Sequence, residues 1–233
     1  MYQEILDYMY SLANPEIAEY SQRFFKTGKG EYGFGDKFLG IRVPIIRKAV
    51  KKYKDISLET AEKILKSEYH EIRMFALLFF VLRFSKADNK EQIKIYNLYL
   101  QRIKYINNWD LIDTTAPHIV GGYLLNKDRS ILYDFVKSNS LWERRIAIVA
   151  TLYFIRNNQF QDTIKLAKQL LEDKEDLIHK ATGWALREVG KKDVNLLISF
   201  LSLHYKKMPR TMLRYSIEKF GREDRAKYLQ GIF

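Results

Sequence analysis

The sequence predicts an all-α fold, a superhelix of stacked helix pairs, and three observations carry that expectation. Apolar residues recur at helical spacing along most of the chain. Glycine is scarce after residue 40 and only four prolines occur, so few signals interrupt a helix. A weak motif also returns at steps of about 33 to 39 residues, a length that suits a two-helix repeat.

Taken in order, Asn14, Pro15 and Glu16 read as an N-cap, a first-turn proline and a first-turn acid. Pro44 opens "PIIRKAVKKYK", and Ser57 precedes "LETAEKILKS". "HEIRMFALLFFVLRFS" (70–85) is so apolar that it must be largely buried. In "EQIKIYNLYLQRI" (91–103), helical spacing puts Ile93, Tyr96, Asn97 and Leu100 on one stripe. About fourteen helical segments follow from such signals. One stretch breaks the pattern. "FFKTGKGEYGFGDKFLG" (24–40) holds glycines 28, 30, 33, 35 and 40, alternating with Tyr32 and Phe34. It lacks the residues of a phosphate loop, and no strand leads into it. It reads as a short β-hairpin or ordered loop near residues 28–38. Lys26, Lys29 and Lys37 flank its aromatics, a combination that suits a nucleic-acid groove or unpaired bases.

The repeat is visible in "EYHEIRMFALLFF" (68–80), "NNWDLIDTTAPHI" (107–119), "NSLWERRIAIVATLY" (139–153), "KEDLIHKATGWALRE" (174–188) and "RTMLRYSIEKF" (210–220). Arg73, Arg145, Lys180 and Arg214 fall at matching places. The spacing fits HEAT or armadillo-like repeats, which stack into a solenoid with a concave face. One basic residue per repeat would line that face with positive charge. The whole chain, 1–233, is expected to form a single such domain.

Composition narrows function. A chain of 233 residues, 47% hydrophobic, has enough apolar surface for a substantial core. Its net charge of +12 points to a polyanionic partner, most often nucleic acid. With no cysteine, disulfides, thiol catalysis and cysteine-based zinc sites are excluded. Histidines 70, 118, 179 and 204 show no metal-ligand spacing. The longest apolar run, "MFALLFFVL" (74–82), lies between Arg73 and Arg83 and is too short to span a bilayer. The N-terminus does not read as a signal peptide, so a cytoplasmic protein with no membrane partner is expected.

Within "NNWDLID" (107–113), a helix puts Trp109 and Asp113 one turn apart on one face. An indole and a carboxylate side by side suit a cation; packing plus a solvated charge is the plainer reading. Asp110, one step beyond Trp109, points elsewhere and reads as a helix-start or phosphate-proximal charge. Trp142 reads as core. Trp184 follows Gly183, which leaves room for a backbone or a ligand to approach.

Four fragments, "FLGIRVPIIRK" (38–48), "NNWDLIDTTAP" (107–117), "LWERRIAI" (141–148) and "HKATGWALRE" (179–188), together and in this order resemble the AlkD-type HEAT-like-repeat DNA glycosylases, the DNA alkylation repair enzymes. The resemblance covers roughly residues 14 to 220. It implies excision of cationic N-alkylated purines, such as 3-methyladenine and 7-methylguanine, from double-stranded DNA without base flipping and with no metal or organic cofactor. It also implies Asp113 as the catalytic carboxylate, Trp109 and Trp184 as deoxyribose-facing walls and Arg145 as a phosphate-holding residue. Arg144, Lys180 and Arg214 are expected as further DNA contacts. The glycine-rich stretch, with Lys29 and Lys37, resembles the hairpin of AlkF-type relatives, which implies binding of branched DNA without excision. Arg42 stands where the glycosylases carry a neutral polar residue; it would repel a cationic base and welcome phosphate. The sequence therefore leaves open a monomeric monofunctional glycosylase, a non-catalytic binder of branched or distorted DNA, and a scaffold for an acidic protein.

Overall fold

The computed structural model describes residues 1–232. Among the described residues there is no strand, only an isolated parallel bridge between Lys37 and Tyr69. Among the described residues no helix is long and apolar enough to cross a membrane. The chain divides into two compact units, Met1–Ile119 and Val120–Phe233.

In the first unit the helices are α1 (Tyr2–Ser11), α2 (Pro15–Phe24), α3 (Val43–Lys52), α4 (Leu58–Leu65), α5 (His70–Phe84), α6 (Asn89–Gln101) and the short α7 (Trp109–Asp113). The expected caps form. The Asn14 side chain accepts from the Ile17 N–H at 3.0 Å, and Ser57 accepts from the Thr60 N–H at 3.2 Å. Asp88, which the sequence reading did not single out, caps α6 by accepting from the Glu91 N–H at 2.8 Å. Helix α5 is apolar on all sides, and twelve of its fifteen residues are buried. It packs against α3, α4 and α6 and so forms the axis of this unit. Each fully buried side chain such as Phe75 or Leu77 stabilises by roughly 1.5–3 kcal/mol. The stripe expected on α6 is corrected. Ile95, Tyr96 and Tyr99 face inward, while Ile93 is exposed, so the inward face is rotated from the expected one. That rotation keeps Tyr99 buried, where its hydroxyl meets Thr115 Oγ1 at 3.0 Å.

The stretch after α2 is an ordered loop rather than a hairpin. Successive turns close it: Gly33 N–H donates to the Lys26 carbonyl, Phe34 to Glu31, and Asp36 to Gly33. Lys26, Gly30, Gly35 and Gly40 have positive φ, which prevents a regular two-stranded ladder. Gly40 is required outright. At φ +78°, a Cβ would lie 2.1 Å from the Asn14 carbonyl oxygen. The end of the loop is pinned by the buried Glu71 carboxylate, which accepts from the Leu39, Gly40 and Ile41 N–H groups at 2.8, 2.7 and 3.2 Å.

The second unit contains α8 (Gly122–Leu124), α9 (Ser130–Phe135), α10 (Leu141–Arg156), α11 (Gln161–Gln169), α12 (Asp176–Lys192), α13 (Val194–His204), α14 (Arg210–Ser216) and α15 (Arg222–Gln230). Helices α10 and α12 are its centre. Helix α12 packs against α10, α11, α13 and α14, and α10 also contacts α9. Leu186, Leu197, Leu201, Met212 and Leu213 fill the core around α12. Gly183 serves this packing: a Cβ there would lie 2.5 Å from the Met212 carbonyl oxygen and from Tyr215 Cβ on α14. Of the two approaches expected at Gly183, the backbone approach is the one present.

Candidate functional site

In the first unit, α7 carries Trp109 and Asp113 at its two ends. The buried Asn108 starts the helix, its side-chain oxygen accepting from the Trp109 N–H at 2.9 Å. Trp109 is half-buried. Its ring stacks on Phe25 with centroids 5.4 Å apart and meets the edge of Phe24 at 6.0 Å. Phe25 in turn stacks on Phe38 at 5.0 Å, and Phe38 on His70 at 4.6 Å. The glycine-rich loop therefore braces the indole from behind. Asp113 is half-buried at the other end of the turn.

The side chain that fixes α7 is one that sequence reasoning missed. His70 opens α5 and is 2% exposed. Its Nδ1 lies 3.1 Å from Asp36 and its Nε2 lies 2.9 Å from Asp110. Burial opposes its charge. The Asp110 carboxylate, followed by Asp36, outweighs that effect and pushes its pKa up to about 9. Burial likewise opposes the charge of Asp36. Its bonds to His70 and Arg73 nonetheless hold it below the usual aspartate value. Arg73 donates to Asp36 at 2.6 Å and to the carbonyls of Ser67, Glu68 and Tyr105, each at 3.1 Å. Asn108 also reaches Asp36, at 3.4 Å. Loop, α5 and α7 are thus joined by one buried polar network. Asp110 has a definite role in it: it is the first-turn acid of α7, as expected of a helix-start charge, and its carboxylate holds His70. No local signal could have revealed the network, because Asp36 and Asp110 lie 34 and 40 residues from His70.

The remaining expected residues differ in what they touch. Arg73 and Arg145 are each 4% exposed, so the continuous positive stripe of matching repeat positions is corrected for these two. Arg145 donates to the Leu177 carbonyl. Arg144 pairs with Asp173 at 2.7 Å and donates to the Ser138 and Asn139 carbonyls, which occupies its fork. Lys180 and Arg214 do come together. They line an open polar cleft of about 350 Å³ with Arg225, Thr211, Asp176 and Glu218. Asp176 holds Lys180 at 2.8 Å. Trp184 is half-buried and lines a separate small cleft with Arg156, Lys191 and Lys192. Lys37 pairs with Glu68 at 2.7 Å, while Lys29 is exposed on the loop. Arg42 is exposed at the start of α3, on the rim of a cleft lined by α2, α3, the loop and the first turn of α5. Trp142 is half-buried, not a core residue.

Comparison with known proteins now bears on this geometry. A family model described as DNA alkylation repair enzyme matches residues 5–220. None of the curated proteins matches the chain. Among solved structures, a protein from Enterococcus faecalis described as a predicted DNA alkylation repair enzyme superposes with a TM-score of 0.70 at 17% identity. The match covers 90% of this chain and 97% of that one. The smu.31 protein from Streptococcus mutans UA159 superposes with a TM-score of 0.53 at 21% identity, over 88% of this chain and 98% of that one. These likenesses place the fold in the α-α superhelix class.

Proposed function

The chain belongs to the DNA alkylation repair enzyme family, and from that premise we propose that it is a monofunctional DNA glycosylase for cationic N-alkylated purines such as 3-methyladenine and 7-methylguanine. The observation that carries this reading is the pairing of Trp109 with Asp113 on α7, with the indole braced by Phe25 and the helix start tied to His70 through Asp110. Alkylation at a ring nitrogen makes the purine cationic and a good leaving group. As the C1′–N bond breaks, its electron pair leaves with the base and neutralises it, and positive charge develops on the sugar. The Asp113 carboxylate stabilises that charge, orients the water that adds to C1′ and accepts the proton that this water gives up, as a carboxylate does in glycoside hydrolysis. The Trp109 face attracts the same cation and packs on sugar C–H groups. A helix held at its start, with its indole braced, needs little rearrangement during reaction, which is the physical advantage of the buried network that anchors α7.

The net charge of +12 and the Lys180–Arg214 cleft support double-stranded DNA as the substrate, bound through its phosphates. No step in this chemistry calls for a metal or organic cofactor, and a monomer suffices. The test is base release from methylated duplex DNA. Wild type should release 3-methyladenine or 7-methylguanine, and Asp113→Asn should lose on the order of 100-fold or more in rate while still binding the duplex. No release by folded, DNA-binding wild type would refute the proposal. A second reading, binding of branched or distorted DNA without excision, draws on the exposed Lys29 and the 65% exposed Phe34 of the loop. Under that reading, Asp113→Asn would tighten binding by removing a charge that repels phosphate.

A further inference from the structure

We infer that the cleft between α2, α3 and the first turn of α5 receives one unpaired, uncharged nucleobase of bound DNA, with Arg42 on the adjoining phosphate. The inference rests on the reading that the chain binds DNA, but not on excision. The cleft measures about 260 Å³, just under the roughly 300 Å³ at which sites for drug-sized ligands begin, which suits a single fused ring.

Its walls are aromatic. Tyr20 and Phe24, one turn apart on α2, lie within 14° of parallel with centroids 6.3 Å apart. They are 54% and 52% exposed, so neither is there to complete the core. Phe25 and Phe38 continue the aromatic lining next to His70. Parallel, half-exposed rings are a stacking platform, and every base has a face to offer it.

The charges around the cleft choose among flat ligands. Asp110 is held by His70, and Glu71 is held by three backbone N–H groups, so neither lining carboxylate is left to draw a cation into the cleft. A neutral heterocycle fits that balance. The Asp110 carboxylate, 13% exposed, and the Ser21 hydroxyl can meet its polar edge. Arg42 is exposed where it lines the cleft, and among the described residues it forms no ion pair. A phosphate beside the inserted base would supply the missing anion. Phe24 and Phe25 line this cleft and also pack on Trp109, so an occupied cleft would hold a base next to the proposed catalytic helix.

The experiment compares full-length wild type on two labelled duplexes of unmodified DNA, one fully paired and one with a single extra base, by fluorescence anisotropy at fixed salt. The expected result is tighter binding of the bulged duplex by roughly fivefold to a hundredfold, the range of one base stacked on an aromatic side chain. Tyr20→Ala should bring that ratio close to one without changing affinity for the paired duplex or the melting temperature, and Tyr20→Phe should keep it. Arg42→Gln should reduce it in part. Equal affinity of wild type for both duplexes overturns the inference, as does a preference that survives both Tyr20→Ala and Arg42→Gln. Because neither duplex carries an alkylated base, the readout is independent of base release. A bulge preference without excision would leave the cleft standing and the glycosylase reading fallen, and excision without a bulge preference would do the reverse.

Discussion

Arg73 and Arg214 occupy matching places in the sequence repeat, yet the two units use them differently. In the first unit, Arg73 is buried and bound to Asp36 and three carbonyls. In the second, Arg214 is exposed on an open polar cleft beside Lys180. A buried guanidinium is costly unless every donor is satisfied, so Arg73 must act as a clamp. An exposed one keeps its donors for a ligand at little cost to folding. The same residue type at the same repeat position thus serves architecture in one place and recognition in the other, and burial decides which.

The comparison breaks most visibly at Arg73. Arg73→Ala should destabilise the protein by about 3–5 kcal/mol, because it leaves Asp36 buried without one of its cations. Urea denaturation of the variant would show this, and a loss below about 1 kcal/mol would mean that Arg73 is no clamp. The next largest effect belongs to His70 and depends on pH. Its folded pKa of about 9 lies above its unfolded value of 6.5. The stabilisation is therefore fully present below pH 6.5 and is lost as pH rises through about 9. It should amount to about 3 kcal/mol. His70→Gln should flatten that part of the stability profile; an unchanged fall from pH 6.5 to 9 would assign the effect to another group. The smallest stability effect is expected at Arg214. Arg214→Ala should unfold within about 0.5 kcal/mol of wild type, yet lower the slope of log affinity for DNA against log salt by about 1. An unchanged slope would remove Arg214 from the interface and weaken the contrast with Arg73.

How much of this was legible in the sequence depends on distance along the chain. The cap of α2 was readable from Asn14 and Pro15, because capping is a matter of three residues. The face of α6 was misread because Ile93 and Ile95 are equally apolar, and only packing against α5 chooses between them. The loop after α2 was correctly marked as irregular by its glycines. Its form was open until the positive φ angles and the Glu71 anchor closed it as turns. The His70 network was invisible, since its partners come from three separated segments.

By itself, then, the sequence determined the all-α class, the helix starts, the excess of positive charge and the pairing of Trp109 with Asp113 within one turn. All of these follow from composition or from contacts between residues no more than about four apart, which the periodicity of a helix sets. Only the tertiary structure decided which cations are buried clamps and which remain available, that Asp110 is held by His70, and that α2, α3 and the loop enclose an aromatic cleft. Those outcomes depend on which segments meet in space, and the cost of burying a charge depends on the partners it finds there.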